Sequence, residues 1–256
     1  MGRPRILILG GTSEARLLAE ALALRDDCDV LLSLAGRTEK PAAQPVPVRI
    51  GGFGGAAALA DFLKAGDYRL LIDATHPFAE RISANAALAA ETAGIAAIAL
   101  RRPEWQRLPG DRWREVQSIP AAIEALGPSP RHVFLATGRQ GAHHAEDAPQ
   151  HRYLIRSVDP VEPPLALANA DYVLDRGPFT LESECALLTR HNIDAVIAKN
   201  SGGAATYAKI EAARLLGIEV MMVERAPATD MKAVQTVAAA LVAIDHLFPP
   251  AMKRGV

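Results

Sequence analysis

Four short stretches of this chain combine glycines or strand ends with polar and cationic side chains. In the first, the apolar run of residues 5–9 ends on Gly10 and Gly11, and Thr12 and Ser13 open a helical stretch. Glycines let a ligand approach the main chain closely, and a helix N-terminus presents unpaired N–H groups to a phosphate. Gly10, Gly11, Thr12 and Ser13 are therefore candidate cofactor-binding residues. The later glycines of a full G-x-G-x-x-G are missing, and the same residues also describe an ordinary capped turn. In an NAD site, an acid about 20 residues further on holds the ribose diol. Here that region reads Leu34-Ala35-Gly36-Arg37-Thr38, with no acid at the strand end. Arg37 suits a 2′-phosphate, so a nucleotide bound here would be NADP rather than NAD; with no nucleotide it is a solvated surface cation.

The second stretch is Asp73-Ala74-Thr75-His76-Pro77-Phe78, at the end of another apolar run. The Thr75 hydroxyl and His76 imidazole suit a phosphate or a carboxylate, and His76 suits proton transfer. The third is Ala136-Thr137-Gly138-Arg139-Gln140, and the fourth is Lys199-Asn200-Ser201-Gly202-Gly203, which opens a helix carrying Tyr207 and Lys209. Each pairs backbone donors with a cation, as anion sites do. Taken singly, Arg139 and Lys199 are also ordinary surface charges.

The elements that would position these turns alternate along the chain. Apolar strand-like runs at 5–9, 29–34, 46–50, 69–73 and 95–100 are separated by helix-period stretches at 13–25, 56–65 and 78–93. Pro47 marks the third run as an edge strand. Residues 101–116 are polar and proline-bearing and read as a crossover. The alternation then restarts, with strands at 132–136, 152–156, 172–175, 194–198 and 218–223 and helices at 118–126, 180–191, 203–216 and 230–247. Strands alternating with helices imply parallel sheets covered on both faces, and two such runs imply two doubly wound domains, 1–103 and 104–256. Ligands of such sheets bind at the C-terminal ends of the strands, which is where all four turns fall.

Composition removes several function classes. Half of the 256 residues are apolar, enough for sizeable cores, and 28 Lys+Arg against 29 Asp+Glu leave a net charge of −1. A chain so balanced is not, as a whole, an electrostatic binder of nucleic acid. Two distant cysteines, Cys28 and Cys185, exclude a disulfide scaffold and a zinc finger, and no clustered ligand set indicates a catalytic metal. Apolar runs stay far below the roughly 18 residues needed to span a bilayer, and the four apolar residues before Gly10 are too few for a signal-peptide core. The expectation is a cytoplasmic protein with no membrane or nucleic-acid partner. The motifs of P-loop kinases and of α/β-hydrolases are both missing.

Taken together and in order, GGTSEAR (Gly10 to Arg16), DATHPFA (Asp73 to Ala79), RRPEW (Arg101 to Trp105), ATGRQ (Ala136 to Gln140) and KNSGG (Lys199 to Gly203), with the trailing TYAKIEAARLLGI, resemble the precorrin-6A reductase family of cobalamin biosynthesis. The resemblance implies an α/β chain of two Rossmann-like doubly wound parallel-sheet domains with a cleft between them. It implies NADPH-dependent reduction of one carbon–carbon double bond of a tetrapyrrole, precorrin-6A to precorrin-6B. Gly10, Gly11, Thr12, Ser13, Arg37 and Thr75 would then serve NADPH, and Arg139, Lys199, Ser201 and Lys209 the carboxylates of the macrocycle. Arg81, Arg101 and Arg102 are further cations available to it, and Phe78, Trp105 and Tyr207 are candidate walls for its flat ring. Hydride addition leaves a carbon to be protonated, by His76, by Tyr207 or by solvent. The rival readings are another NADP-dependent reductase, a non-catalytic two-domain module that binds anions, and a cofactor-free two-domain tetrapyrrole enzyme such as a cyclase.

Overall fold

The computed structural model describes residues 2–36 and 43–249. The chain forms two units and passes between them twice, after Pro103 and after Arg225.

The first unit begins with β1 (Arg5–Leu9), α1 (Ser13–Ala23), β2 (Asp29–Leu34), β3 (Val48–Ile50), α2 (Ala56–Ala65), β4 (Tyr68–Asp73), α3 (Glu80–Ala93) and β5 (Ala96–Leu100). β1 shows why the sheet is buried on both sides. Its Ile6 and Ile8 pack with Ala15, Leu18 and Leu22 of α1, while Leu7 and Leu9 pack with Leu59 and Leu63 of α2 and Ala86 and Ala90 of α3. A strand that is apolar on both faces reads as a continuous run, as parallel strands do. β3 is the edge strand, and the Pro47 carbonyl accepts the N–H of Leu32 at 3.0 Å.

The second unit contains β6 (Arg112–Val116), α4 (Ile119–Ala125), β7 (His132–Ala136), a 3₁₀ segment over Arg139–Asp147, β8 (Arg152–Ser157), β9 (Ala170–Leu174), α5 (Leu181–Arg190), β10 (Ala195–Lys199), a 3₁₀ turn over Ala204–Thr206, α6 (Ala208–Leu215) and β11 (Glu219–Val223). Its six parallel strands lie in the order β6-β11-β10-β7-β8-β9. β6 corrects the reading of 101–116 as crossover throughout. It is an edge strand in which only Trp113 and Val116 are buried, so it has no apolar run to betray it.

The division at 104–256 is also corrected. Residues from Ala226 onward return to the first unit, where β12 (Lys232–Val234) pairs with β5, with Lys232 opposite Ile98 and Val234 opposite Leu100. The single helix expected over 230–247 is thus a strand followed by α7 (Val237–Leu247), whose Ala240, Ala243 and Ile244 complete the core around α1. The first sheet then reads β12-β5-β4-β1-β2-β3, all parallel. A three-residue strand gives too short a pattern for periodicity to assign it to a sheet.

Candidate active site

Each sheet has one point where the chain reverses its direction of winding, and parallel sheets bind ligands there. In the first unit this point lies between β1 and β4, where Leu9 stands opposite Asp73. Gly10-Gly11-Thr12 leaves one strand and Ala74-Thr75-His76 leaves the other. In the second unit it lies between β7 and β10, where Ala136 stands opposite Ala198. Thr137-Gly138-Arg139 and Lys199-Asn200-Ser201 leave there side by side. The structure thus sorts the four turns into two pairs, one pair at each reversal.

The glycine turn is shaped by its neighbours. A Cβ on Gly10 would lie 2.6 Å from Leu32 Cδ1, so a side chain there would have to displace Leu32 in the core against β2. Gly11 has φ +119°, a conformation that L-residues avoid, and open space where a Cβ would point. Thr12 caps α1: its Oγ1 accepts the N–H of Ala15 at 3.1 Å and donates to the Ala74 carbonyl at 2.8 Å, tying the two turns together. Ser13 is exposed in the first turn of α1. Arg37 lies outside the described residues.

Beneath the β4 turn lies a polar network that only a fully buried acid could organise. Asp73 is 0 % exposed. Its Oδ1 accepts the Thr75 hydroxyl at 2.6 Å and the Thr75 N–H at 3.1 Å, and its Oδ2 pairs with Arg101 Nη2 at 2.8 Å. Arg101 Nη2 also donates to Ser83 Oγ at 2.8 Å. Thr75, expected to touch a cofactor, is buried, and its hydroxyl proton is directed at Asp73, which fixes the turn. Arg101 and Arg102, expected among substrate cations, pair with Asp73 and with Glu14 of α1. His76 is half-buried above this network, with its ring 5.9 Å from that of Phe78. Its Nδ1 accepts the Phe78 N–H at 3.3 Å, which assigns the proton of the neutral ring to Nε2.

In the second unit Arg139 and Lys199 are half-buried and Ser201 is buried. Gly141 lets the 3₁₀ segment close over Thr137, whose Oγ1 would lie 2.5 Å from a Cβ there. Tyr207 and Lys209, both expected at the site, are held by neighbours within the unit. The Tyr207 hydroxyl accepts from Arg214 Nη2 at 2.5 Å, and Arg214 Nε pairs with Asp111 Oδ1 at 2.8 Å. Asp111 lies immediately before β6, so the phenol is tied through Arg214 to the start of that strand. Lys209 is 5 % exposed, and its Nζ donates to the Thr206 carbonyl at 2.7 Å while lying 4.9 Å from the Trp105 ring centre. Burial, reinforced by the charge of Arg156 and opposed by Glu184, pushes its ammonium down to about 7. Lys209 is thus an interior group in this structure.

Sequence reasoning missed the Asp73–Arg101 pair and the contacts of Asn200. The first had a signal, an acid ending one strand and two arginines ending the next. Among the described residues no group of three or more His, Cys, Asp or Glu is arranged to hold a metal ion, and no helix is long and apolar enough to cross a membrane.

Residues 5–245 match the family model described as Precorrin-6x reductase CbiJ/CobK. A precorrin-6A reductase of Sinorhizobium sp is 58 % identical over 251 residues, covering 98 % of this chain and 96 % of its own. One of Rhodobacter capsulatus is 48 % identical over 229 residues, covering 89 % and 91 %. A solved structure described as CobK precorrin-6A reductase superposes with a TM-score of 0.91 at 44 % identity, covering 99 % of this chain and all of its own. The chain belongs to the precorrin-6x reductase family.

Proposed function

We propose that this chain uses NADPH to reduce one carbon–carbon double bond of precorrin-6A, giving precorrin-6B in cobalamin biosynthesis. The observation that carries the cofactor half of this reading is the Gly10-Gly11 turn, which opens onto the N-terminus of α1 at the reversal between β1 and β4. A dinucleotide would fit there: Gly11 leaves open space on the outer side of the turn, and the first-turn N–H groups of α1 would face its pyrophosphate. When bound, NADPH supplies the hydride. The chain's own residues hold and orient the reactants. The α1 N-terminus with Ser13 meets the pyrophosphate, and Arg37 reads the 2′-phosphate. Arg139, Lys199 and Ser201 meet carboxylates of the macrocycle. His76, in its imidazolium form, delivers a proton from Nε2 to the carbon that does not receive hydride and returns to the neutral ring, taking its next proton from solvent.

The test is calorimetric titration with NADPH and NADH, followed by turnover of precorrin-6A. Tight NADPH binding, weak NADH binding, and loss of that preference in Arg37→Ala are expected. Arg139→Ala and Lys199→Ala should raise KM for precorrin-6A more than they lower kcat. His76→Ala should lower kcat by about 100-fold and leave NADPH affinity unchanged. A chain that binds neither nucleotide overturns the reading and leaves the anion-binding module or a cofactor-free tetrapyrrole enzyme.

A further inference from the structure

We propose that Asn200 is a positioning residue for the substrate loop, holding both points where the chain enters and leaves the second unit. Asn200 lies between Lys199 and Ser201, and it is buried. Its side-chain amide grips one peptide unit as a neighbouring strand would: Oδ1 accepts the Trp105 N–H at 2.8 Å, and Nδ2 donates to the Trp105 carbonyl at 3.1 Å. Trp105 stands next to the first passage of the chain, after Pro103. The main chain of Asn200 grips the other passage. Its N–H donates to the Val223 carbonyl at 2.9 Å, and its carbonyl accepts from Arg225 Nε at 2.8 Å. Arg225 is the last residue before the chain returns, and its Nε lies 3.7 Å from Glu104 Oε1. Every polar group of Asn200 is thus engaged, and its four bonds reach both passages.

The grip extends into the loop itself. Trp105 Nε1 donates to the Gly203 carbonyl at 3.3 Å, and the indole packs 5.7 Å from the Tyr207 ring with Lys209 Nζ over its face. The loop 199–203 and the segments at 104–105 and 223–225 therefore form one hydrogen-bonded body. An alanine at 200 would leave the Trp105 N–H and carbonyl buried without partners, and would release the residues on either side of it, Lys199 and Ser201. A leucine would fill the space but supply neither bond.

The inference rests on the reductase reading for its kinetic arm only. In Asn200→Ala, KM for precorrin-6A should rise by about tenfold while kcat stays within about threefold, with NADPH affinity unchanged. Amide hydrogen exchange at Trp105, read without substrate, should quicken by about 100-fold. Arg225→Met should raise KM as well, and the double variant should cost less than the product of the two, since both act through one residue. A variant that merely loses thermal stability, with KM unchanged, overturns the proposal, as does unchanged exchange at Trp105. If Asn200→Ala does not fold, Asn200→Ser carries the same two readouts. A wild-type chain that turns over no precorrin-6A overturns the reductase reading alone, because the exchange measurement still decides this one.

Discussion

Arg101 Nη2 lies 2.8 Å from Asp73 Oδ2, and the carboxylate is wholly shielded from solvent while the guanidinium keeps an edge in it. Removing one partner of such a pair leaves the other charge buried and uncompensated, at a cost of about 3 kcal/mol. Asp73→Asn should lower stability to urea by that amount. It should also lower kcat, because the Thr75 bonds that shape the His76 turn weaken. Asp73→Asn combined with Arg101→Met should cost clearly less than the two changes summed. Additive losses in the urea midpoints would show that the two residues act independently.

The adjacent glycines should fail differently. Gly10→Ala forces a methyl to within 2.6 Å of a Leu32 methyl in a packed core, so its main effect is on stability, of about 1–3 kcal/mol. Gly11→Ala meets no atom within 4 Å, but must hold φ +119° and adds a methyl at the mouth of the turn. Its backbone strain is also about 1–3 kcal/mol. Only Gly11→Ala, however, should weaken NADPH binding by more than about tenfold, because it alone adds bulk on the ligand side. Thermal melts and nucleotide titrations of both variants separate the two effects. Equal loss of nucleotide affinity in both would refute the assignment of the open side to the cofactor.

Most of this fold was legible in the sequence because buried parallel strands announce themselves as apolar runs, as RILIL at 5–9 and HVFLA at 132–136 do. The turns carrying chemistry were legible because they follow those runs directly. What stayed hidden was long-range. β6 hides behind Arg112, Arg114 and Glu115, and β12 has three residues and joins a strand more than 130 positions earlier. Side-chain direction was hidden too. Tyr207 and Lys209 sit at the right place in the chain, yet Arg214 draws the phenol one way and the Trp105 face holds the ammonium inside. A motif fixes which residues are near a turn; packing decides which of their atoms reach it.

Lys209 gives a pH signature that a comparison with Lys209→Met separates from titrations common to both proteins. Its folded-state value, about 7, lies below the unfolded value, 10.5. Between these values the unfolded chain binds the extra proton, so stability rises with pH through that window. Below about 7 the ammonium is charged in both states and its full burial cost is present. In Lys209→Met the term is absent. Wild-type stability relative to Lys209→Met should therefore improve steadily from pH 7 to pH 10 and stay flat from pH 5 to pH 6.5. Urea titrations of both proteins across this range check it; a difference independent of pH would mean that Lys209 stays charged in the folded chain.

The return of the chain after Arg225 makes the first unit depend on residues that follow the second. Val234 of β12 and Ala240, Ala243 and Ile244 of α7 cover Ile98 and Leu100 of β5 and the α1 face of the sheet. A chain ended at Arg225 would expose that apolar face and leave β5 as a bare edge, which favours aggregation over folding. It should lose NADPH binding although Gly10, Gly11 and Arg37 are all retained. A milder change isolates the same contact. Ile244 is 1 % exposed, and Ile244→Ala should cost about 2–4 kcal/mol through lost burial and the cavity left behind. Unfolding of Ile244→Ala should move to lower urea in the first unit, and added NADPH should recover part of the loss by binding the folded form. Val242, on the exposed side of the same helix, supplies the control: Val242→Ala should change stability by less than about 0.5 kcal/mol. If the truncated chain binds NADPH as the full chain does, the last strand and helix are a cover on a core that closes without them.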